Sequence, residues 1–272
     1  MPAITAQTIN QLRQQTGLGM NKCKELMTQA DGDLAVALDI ARKEGVKSSI
    51  AARATTEGRV YVAKSADGKT AAAVEVLCNT DFTARSETLQ SVLKKAADAL
   101  LADPSADLAN DASIKDTLVS VAQSTGENVT LGRTKVLSNP AGKVGTYLYS
   151  VTGKIGVLVS VSGQPSDEVL NDVALHVTAF KPTALGLTRD SVPAEDVAKE
   201  KAIAVEAAKA SGKPDNIAEK IADGKMNAFF KERVLGEQDF INGDKFKGSV
   251  NDMLKKAGAQ LVDYVRLEVG VA

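Results

Sequence analysis

In residues 4–45 the apolar positions recur at helical spacing. Ile9 and Leu12 mark a first helix, Cys23, Leu26, Met27 and Ala30 a second, and Leu34, Ala37, Leu38 and Ala41 a third. These are the three- and four-residue steps that gather side chains on one face of a helix. Gly17 and Gly19 end the first helix, with the freedom to take positive φ. Asp33 can cap the third and Gly45 stop it. The Lys-, Arg-, Ser- and Ala-rich stretch 43–56 reads as a linker.

From Gly58 the period changes from helical to alternating. Val60 and Val62, a turn at Asp67-Gly68 and an apolar run to Cys78 predict a β-hairpin. An amphipathic helix follows, with Leu89, Val92, Leu93, Ala96 and Leu100 on one face. A polar stretch over 103–111 interrupts, a second helix runs to about Ser124, and 128–137 returns as a strand. The same order recurs from Gly145: strand 147–151, a turn at Thr152-Gly153, strand 155–161, a helix over 166–180 and a last strand over 260–269. The repetition predicts two related α+β subdomains with antiparallel sheets.

Between the helix and last strand of the second copy lies an insertion. Lys181-Pro182 ends one helix, Pro193-Ala-Glu195 starts another, Ser211-Gly-Lys-Pro214 makes a turn, and a further helix runs to about Arg233. Alanine dominates the first arm, which suits an antiparallel helical hairpin of small contact residues. The fold class expected is therefore α+β. Residues 1–54 form a three-helix domain and linker, 55–140 the first subdomain, 141–180 with 234–272 the second, and 181–233 the inserted hairpin.

Composition narrows the function. Lys and Arg total 33 against 34 Asp and Glu, so no basic field is available for phosphates. Trp is absent and aromatics make up 4% of the chain, leaving few platforms for stacked bases. No run approaches the roughly 20 apolar residues of a spanning helix, and the N-terminus lacks the basic start and apolar core of a secretion signal. A cytoplasmic location is expected. Two cysteines, Cys23 and Cys78, lie in apolar patterns and are expected to be buried thiols. They are too few for a disulfide scaffold or a four-ligand zinc site. His176 stands alone in an apolar run, which severely limits metal and triad chemistry. No phosphate-binding loop is present, and Thr16-Gly-Leu-Gly19 follows a helix, the wrong context for a dinucleotide turn. No cofactor, metal or catalytic group is expected.

One segment stands out. Asn79-Thr-Asp-Phe-Thr-Ala-Arg85 sits where a strand gives way to a helix, and it places the ring of Phe82 at an exposed junction. The ring is either tucked under or offered to a partner. A hydrophobic staple would tuck it against the fourth residue of the following helix. With Thr83 as N-cap that residue is Glu87, a poor surface for a phenyl ring; with Asp81 as N-cap, Phe82 lies inside the first turn. Burial against another element stays open beside partner binding.

Thr16-Gly-Leu-Gly-Met-Asn-Lys-Cys-Lys24 and Asn79-Thr-Asp-Phe-Thr-Ala-Arg85 resemble the two signature motifs of the elongation factor Ts family. Further matches run in the family's order: Gly126-Glu-Asn128, Lys154-Ile-Gly-Val-Leu-Val159, His176-Val177, Ser211-Gly-Lys-Pro214, Gly224-Lys-Met-Asn227 and Arg266-Leu-Glu-Val-Gly270. The resemblance spans essentially the whole chain. Departures fall at Lys22, where an acidic residue is usual, at Leu77, Asn79 and Thr83 around the second motif, at Gly132 in place of an Arg, at Tyr149 in place of a His and at Asp239 in place of a Pro. The chain stops two residues after Gly270, where some members carry a further helical segment.

The resemblance implies a guanine-nucleotide exchange factor for the GTPase elongation factor Tu, one that binds no nucleotide or nucleic acid itself. It implies a ubiquitin-associated type of N-terminal domain whose Gly19-Met20 loop contacts the GTPase; from the residues alone, Met20 could equally plug its own small core. It also implies that Thr80, Asp81, Phe82 and Thr83 disturb the magnesium and phosphate site of the GTPase, and that Gly126, Glu127 and His176 belong to the partner surface. The competing reading is a scaffold or adaptor without exchange activity.

Overall fold

The computed structural model describes residues 4–16, 18–43, 54–210 and 214–271. Gly17, Gly45, most of the expected linker (44–53) and the hairpin turn at 211–213 lie outside the described residues.

Three short helices open the chain, α1 (Ala6–Thr16), α2 (Met20–Gln29) and α3 (Leu34–Lys43). They enclose a core of Leu12, Leu18, Cys23, Leu26, Met27, Ala30 and Ala37. Asp33 caps α3 through its carboxylate, which accepts from Ala35 N (2.8 Å) and Val36 N (3.1 Å). Gly19 corrects an expectation: it is the N-cap of α2 at φ −63°, ψ 150°, an extended conformation open to any residue.

The body follows the predicted α+β plan. Strands β1 (Glu57–Lys64), β2 (Thr70–Cys78) and β3 (Thr130–Ser138) form one antiparallel sheet in that order; β4 (Lys143–Leu148), β5 (Ile155–Ser162) and β6 (Gln260–Glu268) form the second. Helices α4 (Asp81–Ala84), α5 (Glu87–Ala102) and α6 (Ala112–Thr125) fall between β2 and β3. Between β5 and β6 lie α7 (Asp167–Ala179), α8 (Ala194–Ala210), α9 (Asp215–Arg233) and α10 (Val250–Lys256). The periodicity missed α10, a short helix begun by a capping box at Ser249 and Asp252. It also passed over α4, a separate turn before the long helix.

Each central strand is buried on both faces, and this explains its near-continuous apolar run. On β2, Ala72, Val74, Val76 and Cys78 pack against α5 and α6, while Ala71 and Ala73 face the second sheet. On β5, Val157, Val159 and Val161 pack against α7 and Leu158 faces the first sheet. Small residues let the sheets approach. A Cβ on Gly156 would lie 2.5 Å from Val60 Cγ1.

A charged tie joins the sheets. The Glu75 side chain is 2% exposed and takes the Arg133 guanidinium in a fork, Nε to Oε2 at 2.9 Å and Nη2 to Oε1 at 2.7 Å. Arg133 Nη2 also donates to the carbonyl of Glu268 on β6 (2.7 Å). Opposite Glu75 the register of β3 slips, so that Gly132 and Arg133 share one place. A Cβ on Gly132 would sit 2.7 Å from the Glu75 carboxylate, so glycine at this departure from the family pattern makes room for the buried acid.

Helices α8 and α9 form the hairpin, and among the described residues its buried side chains are Ala204, Ala208, Ala222 and Met226. The root is fastened by Leu185 N to Arg233 O (2.8 Å) and Leu235 N to Gly186 O (2.9 Å). Arg189 adds a fork to Glu237 and lies over the Phe230 ring. No described helix is long and apolar enough to cross a membrane.

Candidate functional site

Strand β2 loses β3 after Leu77, which pairs with Thr130, the first residue of β3, and loses β1 after Cys78, which pairs with Glu57. Past that point the backbone must find other hydrogen bonds. Thr80 turns the chain into α4 as its N-cap (φ −127°, ψ 155°), with its hydroxyl accepting from Thr83 N at 3.4 Å. Neither Asp81 nor Thr83 is a cap, and the long helix α5 has its own in Ser86, which accepts from Leu89 N. Hence no staple forms at Phe82.

The short helix sorts its four side chains by direction. Thr83 and Ala84 turn inward and are buried, while Phe82 stands 84% exposed. Asp81 pairs with Arg85 at 3.2 Å across one turn. An apolar ring left in water forgoes roughly 1.5–3 kcal/mol of burial. Since the turn that holds it is well tied, exposure here is imposed by the backbone.

Two motifs distant in sequence meet under the turn. Helix α6 ends at Gly126 in the left-handed region (φ 69°), which turns Glu127 back toward β2. The Glu127 carboxylate accepts from Asn79 N (3.2 Å), Thr80 N (3.0 Å) and Thr80 Oγ1 (2.6 Å). Burial acts to raise this carboxyl, but the hydrogen bonds from Thr80, Thr83 and Asn79 outweigh it and hold it below the usual carboxylate range. Asn79 completes the junction: its Oδ1 accepts from Asn128 N (2.8 Å), and its Nδ2 donates to the carbonyl of Ala54 (2.8 Å). Cys78 donates its thiol to Thr80 O (3.2 Å), and burial, with the Glu127 charge nearby, pushes that thiol up to about 11. It is a packing residue.

The turn between β4 and β5 reaches the same end of the molecule. Thr152 and Lys154 line a cavity of about 220 Å³ with Glu57, Gly58, Asp81, Ala84 and Arg85. Val151 beside it is 76% exposed, and Tyr149 is also exposed.

The other sequence-derived candidates lie elsewhere. Met20, the first residue of α2, is 46% exposed and stands outside the core of its domain. A Cβ at Gly19 would meet nothing within 4 Å. His176 is fully buried: its Nδ1 accepts from Ile241 N (3.1 Å) and its Nε2 meets Gln238 Oε1 (3.0 Å), with Phe180 and Phe240 at its ring. Burial holds it below the ordinary histidine range. It organises the core beside the second sheet and presents no atom to a surface. Asn79 entered the sequence analysis only as a departure from a motif. Its bridging role has no local signal, because both partners are remote in sequence.

Among the described residues no three of His, Cys, Asp and Glu are grouped as metal ligands. The fold presents an exposed aromatic ring beside a cleft lined mainly by polar and charged residues. Residues 79–271 match the family model described as elongation factor TS. The chain is 37% identical to the elongation factor Ts of Bordetella avium over 279 residues, covering 99% of this chain and 92% of that protein. It is 37% identical to that of Hahella chejuensis over 274 residues (99% and 93%) and 36% identical to that of Acinetobacter baylyi over 281 (99% and 92%). The chain belongs to the elongation factor Ts family, and so to the translation elongation factors.

Proposed function

We propose that this chain binds the GTPase elongation factor Tu and promotes release of its bound GDP, with Phe82 as a wedge that opens the magnesium and phosphate site. The observation that carries this reading is the Phe82 ring, 84% exposed on a turn whose hydrogen bonds are satisfied from within.

Exchange of this kind is linkage. A factor that binds the nucleotide-free GTPase more tightly than the loaded one must weaken nucleotide binding by the same ratio. Shifting such an equilibrium from 1:99 to 99:1 takes about 10⁴-fold differential affinity, about 5.5 kcal/mol. One buried phenyl ring supplies roughly 1.5–3 kcal/mol, so other surfaces must anchor the complex. Met20, at the start of α2, is proposed as one of them. Asp81 lies beside the ring and Thr80 and Thr83 frame it. Gly126 serves the same surface by the turn it makes; His176, buried away from the ring, bears on a partner only indirectly, by holding the backbone at the exposed Ile241.

The test is release of fluorescent GDP from elongation factor Tu on addition of the purified chain. Acceleration in proportion to added chain supports exchange. Stable complex formation with an unchanged release rate would instead make the chain a scaffold.

A further inference from the structure

Glu127 belongs to a motif that the family resemblance assigns to the partner surface, yet both of its oxygens point into the chain. Oε2 takes two backbone amides, Asn79 N and Thr80 N, and Oε1 takes the Thr80 hydroxyl. Both amides lie past the end of the sheet, since Leu77 is the last residue of β2 paired with β3 and Cys78 the last paired with β1. One side chain therefore satisfies two backbone donors that no strand reaches. Asn79 does the same in reverse, its Oδ1 accepting from Asn128 N.

We propose that Glu127 is a positioning residue, whose carboxylate clamps the Asn79-Thr80 backbone so that Phe82 stands in the orientation in which it enters the partner. The inference rests on the reading of Phe82 as the acting group. Its physical basis is preorganisation. A phenyl ring on a loose turn would fold back onto the apolar surface of its own subdomain, and straightening it on binding would subtract from the differential affinity that drives release. An ionised acceptor suits the task because its hydrogen bonds to amides are stronger than those of a neutral group. Gly126 is part of the device: its φ of 69° is a conformation that a side chain disfavours, and it directs Glu127 back toward β2. On this account Glu127 acts through the ring and makes no contact with the GTPase.

The experiment measures stimulated GDP release from elongation factor Tu against concentration of the full chain, for wild type, Phe82→Ala, Glu127→Gln, the double variant, Thr80→Ser and Thr80→Val. Gln keeps the shape but removes the charge: its carbonyl can face the two amides only with its NH₂ toward the Thr80 hydroxyl, which must then accept instead of donate. Glu127→Gln should lower the saturating rate about tenfold, the scale of one lost charge-assisted hydrogen bond, and move the half-saturating concentration by less than about twofold. Thr80→Ser keeps the hydroxyl and should match wild type, whereas Thr80→Val should fall with Glu127→Gln. The decisive outcome is the double variant, which should be no slower than Phe82→Ala alone. Hydrogen exchange reads the clamp directly: the Asn79 and Thr80 amides should lose protection in Glu127→Gln while those of Val74 and Val76 keep it. Effects that multiply in the double variant would make Glu127 a partner contact and overturn the inference. So would a wild-type release rate in Glu127→Gln with those amides unprotected. If Phe82→Ala itself releases GDP at the wild-type rate, the reading of the ring falls first, and this inference with it.

Discussion

The two sheets are built on one plan and differ where strand gives way to helix. In both, a central strand buried on two faces is followed by a helix on one face, and in both the last strand slips register against the central one, at Val74/Val76 and at Ser160/Val161. In the second copy the passage is short: after Ser162 come Gly163 at φ 77°, Pro165 and the cap residue Ser166, which enters α7 directly. A Cβ at Gly163 would lie 2.3 Å from Gly258 O, so this turn is pressed against its neighbour. In the first copy the same passage carries an extra helical turn, α4, and on it the most exposed large apolar residue of the described chain. The second copy has its unusual polar feature inside, where His176 meets Gln238. At this junction the shared plan maintains the fold, and the extra turn α4, which the second copy lacks there, is where function should be sought.

Four substitutions or conditions probe this contrast, from the largest effect to the smallest. Arg133→Met removes the partner of a buried carboxylate and the tie to β6. It should cost about 3–5 kcal/mol, the scale of a broken buried pair, and chemical denaturation should show both sheets losing stability together. Loss from one sheet alone would mean that the tie does not couple them.

The second probe is pH. Burial disfavours the His176 cation and outweighs the hydrogen bond to Gln238, and the ring nitrogen Nδ1 accepts from Ile241 N, as a neutral imidazole does. Its folded pKa is therefore below the unfolded value of about 6.5. Stability is complete above that value and is lost as pH falls below it, by up to about 1.4 kcal/mol per unit until the folded pKa is reached. Melts between pH 7.5 and 5.5 should show the slope, and His176→Leu should flatten it. A slope unchanged in that variant would place the proton uptake elsewhere.

Third, Met20→Asp should weaken complex formation by about 1 kcal/mol, typical of a contributing interface residue, with unchanged helical circular dichroism. An unaltered dissociation constant would leave the surface at α2 without a role. Last, replacing residues 198–226 with a Gly-Ser linker should leave a cooperative melt shifted by only a few degrees. Among its described residues the deleted segment buries little beyond Ala204, Ala208, Ala222 and Met226, and the root contacts at Leu185, Gly186 and Arg189 remain. Loss of the cooperative transition would make the hairpin part of the core.

Much of this architecture was legible because its signals are local. The apolar run that ends at Cys78 is β2, and the stripe from Leu89 to Leu100 is the buried face of α5. What the pattern missed had either a short span or remote partners. Helix α4 is a single turn, too brief to show a period, and the stretch 103–111, read as polar, contributes buried Leu108 to the first core. At the site, the exposure of Phe82 could be posed as a question but not settled, since the cap that rules out a staple is Thr80. Glu127 looked like a surface acid. Its inward direction comes from the φ of Gly126 and from a strand end nearly fifty residues earlier in the chain.

The account stands most directly on one paired measurement, GDP release from elongation factor Tu and thermal stability for Phe82→Ala. An exposed wedge predicts saturating release slower by one to two orders of magnitude, the rate equivalent of roughly 1.5–3 kcal/mol, with a melting temperature unchanged from wild type. A buried Phe→Ala change would instead cost about 3–5 kcal/mol of stability. A variant that melts much earlier yet releases nucleotide at the normal rate while folded would contradict the account.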